Sequence, residues 1–138
     1  MKIVMFGVHR ATEVCVQTLL ENGCRVLWVQ PESNPFRTWI RHDHLSLYEY
    51  DAIGGEALLG VVRKFSPDYI LAMILGDRIP QTIVRLAKKY GLNIHPAELP
   101  DIRTASSWFW PLRLGKTSSA LSVHLLEDQW DAGPIVYK

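Results

Sequence analysis

Asn93-Ile94-His95-Pro96 sets an amide and an imidazole two residues apart, and Trp130-Asp131-Ala132-Gly133-Pro134 supplies a carboxylate further on. An amide N–H meets developing negative charge, an imidazole switches between acid and base, and a carboxylate takes a proton or holds a cation. These are the parts needed to move an acyl group between nitrogens. On a strand, the two-residue spacing turns Asn93 and His95 to one face and Ile94 to the core. Read alone, Asn93 is equally well a turn residue and His95 a capped surface histidine. Asp131 is equally well a plain turn acid, with Gly133 permitting the tight backbone that would aim it inward.

The flanking elements have to position these groups. Residues 2–7 are a short apolar run ending in Gly, as in a buried parallel strand. Ala11, Val14, Cys15, Thr18 and Leu19 then keep helical spacing, and Asn22-Gly23 closes the helix. Arg25 to Gln30 is a second strand, stopped by Pro31. This opening predicts a covered parallel sheet with a right-handed crossover. Residues 31–44 read as a polar surface loop and Leu45 to Tyr50 as a short edge strand. Leu58, Val61, Val62 and Phe65 mark a second helix, ended by Ser66-Pro67. Tyr69 to Ile74 is an apolar strand. Pro80 opens a helix with Ile83, Leu86, Ala87 and Tyr90 on its buried face and Gly91 at its end, and Leu92 to His95 returns to strand. Ser106 to Leu114 reads as a helix ended by Gly115, with Pro111 allowed only in the first turn or as a kink. Leu121, Val123 and Leu125 alternate with Ser122 and His124 as in a strand, which turns His124 away from the apolar set, and Ile135 to Tyr137 begins another. The expected fold is α/β, a Rossmann-like open, mostly parallel twisted sheet with helices on both faces. Ligands of such sheets gather at the C-terminal strand ends, where residues 75–79, 93–96 and 127–131 should meet.

Bulk properties exclude several classes. A chain of 138 residues argues for one domain, and 48% apolar with 21% charged residues suits an ordinary globular core. A net charge of +1 gives no reason for bulk nucleic-acid or membrane attraction. The first apolar run stops at Gly7 and reads as a strand, not a signal peptide. Cys15, on the expected buried helix face, and Cys24, at a strand start, fit reduced thiols and a cytoplasmic protein. Gly7-Val8-His9-Arg10 stands where a dinucleotide fingerprint would, but G-x-G-x-x-G is absent, so a nicotinamide oxidoreductase loses its main support. The turn can still hold an anion at the helix N-terminus. His42-Asp43-His44 reads as solvated and not as a metal site. The five Trp lie near loops and helix starts, where they would line a cleft or pack in the core.

Asn93-Ile94-His95-Pro96 through Leu99-Pro100 and Arg103, then Ser122-Val123-His124, then Asp131-Ala132-Gly133 together resemble the folate-dependent formyltransferases. That superfamily includes glycinamide ribonucleotide, methionyl-tRNA and nucleotide-sugar amine formyltransferases. The resemblance implies a catalytic trio of Asn93, His95 and Asp131 and the cosubstrate N10-formyltetrahydrofolate, with no metal. Leu75, Gly76, Asp77, Arg78, Ile79, Glu127 and Asp128 match the segments expected to hold the pterin. His9, Arg10, Pro96 and Arg103 are the expected contacts to the acceptor, a small-molecule amine, with a nucleotide-linked amino sugar favoured and a tRNA acceptor still open. The family has Arg-Gly where Arg103-Thr104 stands here, so a β-carbon is expected to narrow the acceptor side. The family domain also runs beyond a length equivalent to Lys138. The chain is therefore expected to be a fragment, or a short homologue whose exposed apolar face favours a homodimer. The rival reading is a non-catalytic folate- or nucleotide-binding module.

Overall fold

The computed structural model describes residues 1–33, 38–104, 106–107 and 109–138. Five strands run parallel: β1 (Lys2–Phe6), β2 (Arg25–Pro31), β3 (Leu45–Tyr50), β4 (Tyr69–Met73) and β5 (Tyr90–His95). Two more, β6 (Ser122–Leu125) and β7 (Ile135–Tyr137), add on antiparallel. The sheet order is β3-β2-β1-β4-β5-β6-β7. Strand order therefore reverses between β1 and β4, where a parallel sheet opens a crevice at its C-terminal edge.

Helices lie on both faces, as the alternation of apolar strands with amphipathic segments requires. Helix α1 (Arg10–Glu21) packs Val16 and Leu20 against Ile3, Met5, Val26 and Trp28. On the other face, α2 (Glu56–Phe65) and the short α3 (Gln81–Val84) cover Val4, Phe6, Leu27, Val29 and Ile70. Helix α4 (Phe109–Arg113) follows, with Pro111 inside its first turn, where a missing N–H costs nothing. Gly7 is compelled by close approach, since a Cβ there would sit 2.4 Å from the Met73 carbonyl of β4.

Three expected helices differ from the structure; that over 106–114 is only the shorter α4, with 106–107 in a turn. In α1 the buried residues are Thr12, Glu13, Val16 and Leu20, whereas Val14 and Thr18 are exposed and Cys15 is only partly buried. Buried polar partners shifted the face: Thr12 Oγ1 donates to Met73 O, and the Glu13 carboxylate accepts from Thr38 Oγ1 and the Trp39 N–H and pairs with Arg10. Periodicity counts apolar residues and is blind to such partners. After Pro80 the helix stops at Val84, not at Gly91. Tyr90 is exposed and begins β5, and Gly91 lies inside that strand, where a Cβ would meet Val84 Cγ1 at 2.5 Å. Strand β4 ends at Met73 because Ile74 turns to a left-handed φ of 50°.

The tryptophans separate. Trp28 is fully buried in β2, Trp39 is 80% exposed, and among the described residues Trp130 alone of the five lines the crevice described below. Trp108, part of the expected 106–114 helix, and residues 34–37 of the 31–44 loop lie outside the described residues. Phe109, Trp110, Leu112, Leu114, Leu121 and the whole of β7 leave apolar surface exposed. No helix among the described residues is long and apolar enough to cross a membrane.

Candidate active site

Pairing of β5 with β6 builds the centre of the site. Its register sets Asn93 opposite His124 and His95 opposite Ser122. Side chains across an antiparallel pair share a face, so four polar groups gather on one side. Strand β6 therefore buries its polar residues, Ser122 at 0% and His124 at 2% exposure, while Leu121 is exposed and Val123 and Leu125 are half-buried. His124 faces away from the apolar set, as its alternation implies, but toward Asn93 and not merely into sheet hydrogen bonding. The Ser122 hydroxyl donates to Ala97 O and accepts from the Leu99 N–H, which ties the segment after β5 back to the sheet.

The carboxylate arrives from the loop after β6. Asp131 has a left-handed φ of 50°, so Asp131 itself, rather than Gly133, makes the turn. Gly133 serves by close approach, since a Cβ there would lie 2.0 Å from Leu125 O. Asp131 Oδ1 accepts from Asn93 Nδ2 at 3.1 Å and lies 3.3 Å from His124 Nε2, and Oδ2 lies 3.6 Å from His95 Nδ1. Burial pushes the Asp131 pKa up. The hydrogen bond to His124, the charges of His95 and His124 and the Asn93 amide outweigh burial and hold it below its ordinary value. His95 is buried, with Nε2 2.8 Å from the Ile102 carbonyl. That carbonyl requires Nε2 to carry hydrogen, so Nδ1 is the nitrogen left to gain or lose a proton.

Asn93, His95, His124 and Asp131 line a cavity of about 530 Å³, within the usual range of small-molecule sites. Loop residues 74–79 form one wall. Ile74 there holds a left-handed φ, an outlier for a β-branched residue that typically costs about 1–3 kcal/mol. Tyr50 at the end of β3 donates its hydroxyl to Asp77 at 2.8 Å, and burial followed by that bond pushes the phenol pKa up. Arg78 Nη1 donates to Asp128 O, joining this wall to the loop after β6.

Most of the expected residues line this cavity: Asn93, His95, Pro96 and Asp131, the loop 75–79, and His9, Arg103 and Glu127. Arg10 and Asp128 do not. Arg10 is drawn to the buried Glu13 and lines a separate surface groove with Trp39 and Arg41, and Asp128 contributes its backbone carbonyl to Arg78. His9 caps α1, with Nδ1 accepting from the Ala11 N–H. Thr104 lines the cavity, and its Oγ1 is buried without a hydrogen-bond partner. His124 is the principal residue not among the expected ones. Its position opposite Asn93 was available only through the strand register, although Ser122-Val123-His124 already belonged to the motif.

The model of the formyl transferase family matches residues 7–138. The chain belongs to the formyl transferase family. It is 28% identical over 141 residues to GDP-perosamine N-formyltransferase of Brucella melitensis, covering 98% of this chain and 54% of that relative. It is 21% identical over 150 residues to methionyl-tRNA formyltransferase of Clostridioides difficile, covering 100% and 48%. This family member thus spans about half the length of those relatives. In fold it resembles phosphoribosylglycinamide formyltransferase from Bacillus halodurans, with a TM-score of 0.76 and 14% identity over 99% of this chain and 77% of that one. Glycinamide ribonucleotide transformylase 1 from Geobacillus kaustophilus is similar, with a TM-score of 0.75 and 18% identity over 99% and 79%.

Proposed function

We propose that this chain transfers a formyl group from N10-formyltetrahydrofolate to a primary amine. The observation that carries this reading is the convergence of Asn93, His95 and Asp131 in the lining of a cavity large enough for a flat heterocycle. The folate supplies the formyl group, and its pterin suits a wall of apolar side chains and backbone groups, which Leu75, Gly76, Ile79 and Leu126 offer. Asp77, Arg78 and Glu127 complete that wall.

Attack of a neutral amine on the formyl carbon puts negative charge on the formyl oxygen. An Asn93 N–H and the Nδ1–H of protonated His95 are the donors that meet it. Asp131 stays ionised through neutral pH because its neighbours hold its pKa down. Its Oδ2 lies 3.6 Å from His95 Nδ1, and it takes the amine proton once bonding to carbon has made that nitrogen acidic. His95 gives its Nδ1 proton to the departing N10, and Asp131, 3.6 Å away, returns one to His95. The carbon–N10 bond breaks, the carbon–amine bond forms, and no net proton is consumed.

A nucleotide-linked amino sugar is the acceptor class we favour. The likeness to GDP-perosamine N-formyltransferase is the higher of the two relatives above. Arg103 lines the cavity with no hydrogen bond or ion pair among the described residues, so its guanidinium is available to a phosphate. The test incubates the chain with N10-formyltetrahydrofolate and a panel of amines: nucleotide-linked amino sugars, glycinamide ribonucleotide and methionyl-tRNA. Release of tetrahydrofolate dependent on an amino sugar supports the reading. Folate binding without release for any amine overturns it.

A further inference from the structure

His124 makes no part of the proton path just described, yet it touches both Asn93 and Asp131. Its Nδ1 lies 2.8 Å from the carbonyl of Leu125. A lone pair cannot face a carbonyl oxygen at that distance, so Nδ1 carries hydrogen in either charge state. Neutral His124 is thereby confined to the tautomer with a bare Nε2, an acceptor. Asn93 Nδ2 stands 3.0 Å from that Nε2 and 3.1 Å from Asp131 Oδ1. With His124 neutral, both amide hydrogens of Asn93 are engaged, one by the imidazole and one by the carboxylate. The amide then has no hydrogen to offer a formyl oxygen.

Protonation reverses the count. A charged His124 has Nε2–H, which cannot face the Asn93 NH2 and turns instead to Asp131 Oδ1, 3.3 Å away. Asp131 then accepts from both neighbours, and one Asn93 N–H is released. We propose that His124 is a positioning residue whose proton decides whether Asn93 has a hydrogen free for the reacting carbonyl. The role rests on the transfer reading above, whereas the coupling between His124 and Asn93 stands without it.

The groups bearing on His124 are few. Asp131 faces it directly, and His95 reaches it through Asp131. Strand β7 pairs Ile135 with it, and Ser122 lies two residues along the same face. His9, Asp77, Arg78, Arg103 and Glu127 line the cavity but hold no hydrogen bond or ion pair to it among the described residues.

The experiment is a pH titration of the whole chain, labelled with nitrogen-15, from about pH 5 to about pH 9, spanning histidine ionisation. Neutral His124 is expected to show the Nδ1–H tautomer, and the Asn93 side-chain amide signals should move with the His124 midpoint. An Nε2–H tautomer, or Asn93 signals that ignore that midpoint, overturns the proposal. In His124→Phe the Asn93 signals should lose this titration. Catalytically, the ratio of His124→Phe to wild-type kcat should rise with pH, by up to the ~10²-fold that one oxyanion donor typically contributes. A ratio that stays flat with pH also overturns the role. Should the phenylalanine variant not fold, the wild-type titration still decides. A coupled titration in a chain that transfers no formyl group would refute the functional reading alone.

Discussion

Strands β1 and β6 belong to one sheet and bury opposite kinds of side chain. Strand β1 lies between two parallel neighbours and is covered on both faces, so Ile3, Val4, Met5 and Phe6 are all buried and all apolar. Strand β6 buries Ser122 and His124 and leaves its apolar residues half-covered or exposed. Burying a polar group costs about 1–3 kcal/mol unless it is hydrogen-bonded, and each of these two is bonded by the segments that bound the cavity. One region spends its burial on stability, the other on holding donors and acceptors at fixed places. Substitutions in the two should therefore fail in different ways.

Phe6→Ala is expected to show the largest effect, a loss of about 3–5 kcal/mol from a fully buried ring. Urea unfolding should move to a much lower midpoint while transfer per folded molecule holds. Loss of transfer at an unchanged midpoint would break the division between the regions. Asn93→Ala and His95→Ala should do the reverse and lower kcat ~10²–10³-fold each. Near wild-type turnover in His95→Ala would remove that residue from the chemistry.

A smaller effect is expected at acid pH. Asp131 has its pKa lowered in the folded chain, so its stabilisation is complete above the ordinary value of 3.8 and is lost as pH falls through the lowered value. Unfolding free energies measured down the acid limb should fall less steeply in Asp131→Asn than in wild type. Parallel limbs would mean that the carboxylate contributes nothing to the fold. Smallest is Tyr50→Phe, which removes the bond to Asp77 at a cost of about 1 kcal/mol. Because that bond braces the wall of residues 74–79, KM for the proposed folate cosubstrate should rise while kcat holds. An unchanged KM would show that the wall stands without it.

Much of the architecture was legible in order. Pro31, Ser66-Pro67 and Asn22-Gly23 punctuate the chain where elements end, and the apolar runs 2–7, 25–30 and 69–74 are strands to within a residue at their ends. Short-range rules suffice there because strand and helix periods and turn chemistry act within a few residues. They failed at α1, where Thr12 and Glu13 take partners at Met73 and Thr38, and after Val84, where Gly91 is needed for close approach inside a strand. Both misreadings arise from contacts distant in sequence.

The site divides the same way. Residue types and spacing determined that Asn93 and His95 share a strand face, and the motif linked them to Asp131. Sequence could not place His124 against Asn93, turn Asp131 inward through its own left-handed backbone, or take Arg10 out of the cavity. Those outcomes depend on the antiparallel register of β5 with β6, on the approach of Gly133 to Leu125, and on a buried Glu13 that captures the guanidinium. The sequence by itself determined which chemical groups are present and in what order along the sheet. Only the tertiary structure decided which hydrogen each group has free, because donors and acceptors are matched across strands and not along them.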